Sequence, residues 1–120
     1  MKKLFFIALC VIGFSLYGKS PIAKSENESS KVVLENDKVK VTEFLSLPGG
    51  GACGKGKHSH KERLVIAITD ASIQLTTEDG KTQNLDLKAG TAFWGAAETH
   101  TVVNSSTKEV KFYAVEVKKD

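Results

Sequence analysis

The chain has 120 residues, of which 41% are hydrophobic, a length and composition that allow one domain with one small core. Seventeen lysines and arginines stand against 14 acidic residues, a formal net charge of +3. That even balance, with the few aromatic residues spread along the chain and not set in a basic stripe, argues against a nucleic-acid or anionic-membrane surface.

Met1-Lys2-Lys3 gives a positive start, Leu4 to Tyr17 is almost wholly apolar, and Gly18 closes the run. This is the layout of a secretory signal, residues 1–18, cleaved at or near Gly18. About 15 apolar residues are too few for a membrane span, which needs about 20. A lipid anchor at Cys10 competes with this reading, but the bulky Leu9 before it and the apolar run beyond it argue the other way. The expected location is therefore periplasmic or secreted, in a bacterium, with no membrane contact after cleavage. Losing Lys2 and Lys3 leaves 15 cations against 14 carboxylates, close to neutral. One thiol, Cys53, remains, so no intramolecular disulfide forms and the core alone must hold the fold.

Residues 19–31 (KSPIAKSENESSK) are polar and read as a disordered linker. The domain is expected over 32–118. Val32-Val33-Leu34-Glu35 is a short strand, turned at Asn36-Asp37 into a second strand, Lys38 to Leu47. Pro48-Gly49-Gly50-Gly51 opens a glycine-rich loop to Lys57. His58 to Thr69 reads as the longest strand, with Leu64 to Ile68 apolar on both faces and so central and covered. Ser72 to Thr77 and Thr82 to Leu87 flank Asp79-Gly80, a hairpin signal. Thr91 to Trp94, His100 to Asn104 and Val110 to Val117 complete eight or nine short strands, an all-β sandwich or barrel. A core of about 90 residues leaves little margin, and homodimerisation through an edge strand or outer sheet face would add to it.

All three histidines fall in two short stretches, His58-Ser59-His60 and His100. Alternate residues of a strand share a face, so both imidazoles of the pair aim the same way. A third His brought alongside gives three nitrogen donors, a set for a borderline transition metal: Fe, Zn, Cu or Ni.

With these residues the sequence resembles the small single-domain cupins, over roughly residues 32 to 117. The first motif of that family sets glycines ahead of a His-x-His pair, here Gly51 to Gly56 with His58 and His60. The second runs from a glycine to a His followed, after three intervening residues, by an asparagine, here Gly90, His100 and Asn104. The resemblance implies a cupin jelly-roll β-barrel, or double-stranded β-helix, whose metal ligands are His58, His60 and His100. The family's glutamate ligand aligns near Leu64, where this chain has no carboxylate. What remains is similar to the three-histidine iron sites of thiol dioxygenase-type cupins.

Glu62 shares the strand parity of the His pair, and Glu98 that of His100, so both are candidate acid–base groups. Cys53, five residues before His58, is a tolerated loop thiol, a thiolate ligand or a redox switch. Lys55, Lys57, Lys61 and Arg63 either attract an anionic substrate or solvate the outer face. Asn104 reads as a turn-former, Phe93 and Trp94 as core or pocket wall, and Tyr113 as core. Two functions stay open: a metal-dependent oxygenase, isomerase or lyase on a small molecule, or a non-catalytic barrel that binds or senses a ligand or metal.

Overall fold

Alternating apolar and polar residues, punctuated by turn-forming Asn and Gly, set residues 27–119 into nine strands; these are the residues that the computed structural model describes. They are β1 (Glu28–Glu35), β2 (Val39–Ser46), β3 (His58–His60), β4 (Arg63–Ala67), β5 (Ala71–Thr77), β6 (Thr82–Leu87), β7 (Ala92–Gly95), β8 (Glu98–Asn104) and β9 (Val110–Val117). The expected signal segment lies outside the described residues. Two antiparallel sheets form, one in the order β1-β2-β9-β4-β7 and the other β3-β8-β5-β6. The expected jelly-roll architecture is therefore present.

Turn chemistry fixes the registers. Asn36 Oδ1 accepts the Lys38 and Val39 amides at 2.8 and 2.9 Å, closing β1 onto β2. Gly80 at φ +90° supplies the left-handed residue that the β5–β6 hairpin needs. Inward-facing Val65, Ala67, Ile73, Val102, Val110 and Phe112 make the core between the sheets.

Three features differ from the sequence reading. Strand β1 begins at Glu28, inside the expected linker, because backbone pairing with β2 does not need apolar side chains at an edge. The run from His58 to Thr69 is not one strand. It breaks at the exposed Lys61-Glu62, where the chain crosses from the four-stranded sheet (β3) to the five-stranded one (β4). Finally, β4 is interior to its sheet, but only its inner face is fully covered. Leu64 and Ile66 look outward, in line with Tyr113 and Trp94, so neither aromatic belongs to the core. The outer row Leu34, Val41, Val115, Leu64 and Trp94 crosses all five strands and is wholly apolar.

Candidate metal centre

Strand β3 has three residues, and each pairs with β8: His58 opposite His100, Ser59 opposite Thr99, His60 opposite Glu98. Period-2 geometry then puts His58, His60, His100 and Glu98 on one inward face. Ser59 and Thr99 join hydroxyls at 2.6 Å on the other face. The glycine-rich loop extends this arrangement. Gly49 N donates to Asn104 O, Asn104 N to Gly50 O and Ala52 N to Val102 O, each at 2.8 Å, so the loop runs beside β8. A Cβ at Gly50 would lie 2.2 Å from Asn27 O, and one at Gly51 1.9 Å from Gly54 O. Only glycine allows this fold-back, and the fold-back delivers Cys53 to the histidines.

The four candidate ligand atoms, from Cys53, His58, His60 and His100, all lie within 4.8 Å of one another. His58 Nδ1 is 2.7 Å from Gly56 O, which can only accept, so Nδ1 carries the proton and Nε2 presents its lone pair. His100 is buried, with Nδ1 2.5 Å from the Glu98 carboxylate, which fixes the same tautomer. His60 Nε2 is buried and has no hydrogen-bond partner. Ring nitrogens thus converge from three histidines, that of His60 without a partner. Without a cation between them this arrangement is unfavourable, because a buried unmet acceptor costs about 1–3 kcal/mol.

Cys53 Sγ is 3.4 Å from His58 Nε2 and 3.5 Å from His100 Nε2. One thiol proton serves only one of them. A tetrahedral metal with bonds of about 2.3 Å to sulfur and about 2.0 Å to nitrogen gives a sulfur–nitrogen edge of about 3.5 Å. These donors fit a transition metal, with sulfur as a fourth donor beside the three nitrogens.

Electrostatics keep the His60 and His100 rings neutral, as ligation requires. Burial foremost, then the charges of Arg63 and the neighbouring histidines, pushes His60 down to about 4. Burial also lowers His100, and it outweighs the upward pull of Glu98, so at neutral pH their contact is a hydrogen bond to a neutral ring and not an ion pair. Burial pushes the Cys53 thiol up to about 12; Glu98 adds to this and Arg63 opposes it. A thiol in this state needs a metal to displace its proton.

The other sequence candidates separate clearly. Glu98 belongs to the cluster as the group orienting His100. Glu62 does not, because the break after β3 cancels its strand parity; it is exposed, accepts Trp94 Nε1–H at 3.0 Å and pairs with Lys119 at 3.5 Å. Lys55, Lys57 and Lys61 are exposed, and Lys57 faces Glu78 at 3.9 Å. Arg63 departs from the outer-face reading: it is 5% exposed and lines the cavity under the cluster. The unbroken apolar run after it hid its inward parity in the sequence. Phe93 lines the same cavity, whereas Trp94 stands 54% exposed on the outer face. Asn104 is a turn-former, as expected. Its Nδ2 donates to Ser46 O and Lys108 O at 3.0 and 2.8 Å, and its Oδ1 accepts from Ser106 N and Oγ at 2.9 and 2.6 Å.

A nine-stranded antiparallel jelly roll with a three-histidine cluster inside one end defines a double-stranded β-helix protein with a His/Cys group that could hold a metal ion. No family model matches the sequence. The chain is 35% identical over 88 residues to the β-alanine degradation protein BauB of Pseudomonas aeruginosa, covering 72% of this chain and 90% of that protein. A cupin domain from Bordetella pertussis is 29% identical with a TM-score of 0.70, covering 81% of this chain and 99% of that one. An RmlC-like cupin from Methanocaldococcus jannaschii shares the fold at 15% identity and a TM-score of 0.60, over 88% of this chain and 94% of that one. So does the polyketide cyclase RemF of Streptomyces resistomycificus, at 20% identity and 0.58, over 78% and 67%. The chain belongs to the cupin family.

Proposed function

We propose that this chain is an exported metal-dependent enzyme acting on a small molecule. In this reading His58, His60 and His100 hold a divalent transition metal (Fe, Zn, Cu or Ni), and Cys53 supplies a softer fourth donor. The observation that carries it is the convergence of nitrogens from three imidazoles with Cys53 Sγ, two of the rings tethered through Nδ1 and the Nε2 of the third, His60, buried and unmet. Bound there, such a metal supplies Lewis-acid or oxygen- and water-activating chemistry of the kind that oxygenases, isomerases and lyases use. Glu98 holds His100 in the ligating tautomer, and the apolar wall of Phe44, Val65, Ile73 and Phe93 excludes water from the cavity below. The curated relative is named for β-alanine degradation, which agrees with a small organic substrate.

Export rests on the charged start and short apolar run of residues 1–18. Protein recovered from cells with Met1 to Gly18 intact would count against it. The outer apolar row, with Leu34 and Trp94 more than half exposed, supports a homodimer through that face. Sedimentation equilibrium at the mass of one chain would remove that part.

The test offers metal-loaded protein small thiols, keto acids and sugars beside the His100→Ala variant. Product from wild type alone is expected, and product from both would place the chemistry elsewhere. The alternative, a non-catalytic binding barrel, is favoured by Cys53, which fills a position an open site leaves to substrate. It predicts thermal stabilisation by metal with no product from any compound.

A further inference from the structure

Arg63 is a buried cation with no ion-pair partner among the described residues. It begins β4, points into the barrel and is 5% exposed. Its Nη1 donates to Ala96 O at 3.0 Å. Among the described residues no carboxylate lies within ion-pair distance of it. A guanidinium carries five N–H donors and does not lose its charge at any working pH. Isolating such a charge from water costs several kcal/mol unless an anion answers it.

The local fold is shaped around this group. Gly95 pairs directly with Arg63 across β4 and β7. A Cβ at position 95 would stand 2.9 Å from Nη1 and 3.0 Å from Cζ, so the guanidinium occupies space that only glycine leaves free. Arg63 lines a cavity of about 80 Å³ whose wall is mostly apolar and whose other polar lining groups are Cys53, His60, Glu98 and His100. That space takes a ligand of roughly half a dozen heavy atoms.

We infer that Arg63 binds the carboxylate of a small organic acid of three or four carbons, as a two-pronged guanidinium–carboxylate pair. The apolar body of the acid lies against Phe44, Val65 and Ile73, and its other end faces His60 and His100. The inference deepens the proposed function and rests on it for that far end; the grip on the carboxylate needs no metal.

The experiment is calorimetric titration of propionate, 1-propanol and inorganic phosphate into metal-loaded and chelator-treated protein. The Arg63→Met, Arg63→Lys and Gly95→Ala variants run beside wild type. Propionate is expected to bind saturably and 1-propanol not to bind. Arg63→Met should lose propionate binding, and Arg63→Lys should weaken it at least tenfold, because an ammonium lacks the fork. Gly95→Ala keeps the charge but displaces the guanidinium, so it should weaken binding even if Arg63→Met fails to fold. Chelator-treated wild type should still bind propionate, which separates this inference from the metal reading. If no variant of Arg63 or Gly95 changes propionate affinity, or folded wild type binds no carboxylate, the inference is overturned. Phosphate binding as tightly as propionate, with equal loss in Arg63→Met, overturns the carboxylate assignment.

Discussion

Leucine in place of His60 is expected to stabilise the metal-free protein, the opposite of what most core substitutions do. His60 is half-buried, its Nε2 has no partner, and its ring is held at about 4. Removing an unmet buried acceptor relieves about 1–3 kcal/mol, and leucine has a similar volume. The same ring imposes a pH dependence. Unfolded, it takes up a proton near its ordinary value of 6.5; folded, only near 4. Between those limits the unfolded chain binds more protons. Stability is therefore undiminished above pH 6.5, falls as the pH drops towards 4, and levels off below. At about 1.4 kcal/mol per pH unit the full effect would be about 3 kcal/mol; solvent screening of a half-exposed ring leaves about 1–2 kcal/mol. Urea unfolding in excess chelator at pH 7.5, 5.5 and 4.5 reads both effects. His60→Leu should be more stable at every pH and show a shallower acid slope, the remainder coming from His100, which is lowered in the same way. A variant less stable than wild type at pH 7.5, with an unchanged slope, would refute the claim that His60 is a strained group kept for ligation.

Other substitutions separate structural from ligand roles. Asn104→Ala removes four hydrogen bonds at a buried position; it should cost about 2–4 kcal/mol in urea unfolding with metal per folded chain unchanged. Glu98→Gln should weaken metal binding about 10- to 100-fold in competition with a chelator, whereas Glu62→Gln should leave it unchanged. Equal effects would contradict the placement of these two carboxylates. Cys53→Ser should abolish the near-ultraviolet thiolate charge-transfer band of Co(II)-loaded protein while metal stays on the three histidines. Identical spectra for the two proteins would exclude sulfur ligation.

The fold was readable because its signals are local. Asn36-Asp37 and Asp79-Gly80 set hairpins, and the alternation in β8 sets which side faces in. The histidine cluster is readable too, because His-x-His on one strand and His100 on another need only pairing to meet, and the register pairs His58 with His100. Glu62 and Arg63 exchanged roles for one reason. A crossing between sheets at Lys61-Glu62 resets parity, and Leu64-Val65-Ile66 is apolar on both faces, so no alternation betrays the reset. Cys53 was placed near the site by proximity in sequence. Its approach to two imidazoles depends on loop contacts at Gly50 and Gly51 that composition does not encode. Trp94 and Tyr113 read as core because apolar residues on an outer sheet face look like core residues until the second layer is known.

The most direct test of the account is metal content by plasma mass spectrometry, on protein purified without a histidine tag, beside the His58→Ala/His60→Ala variant. Near-stoichiometric Fe, Zn, Cu or Ni in wild type, and none in the variant, is the predicted result. No metal in wild type even after reconstitution, or equal metal in both, would contradict the three-histidine centre.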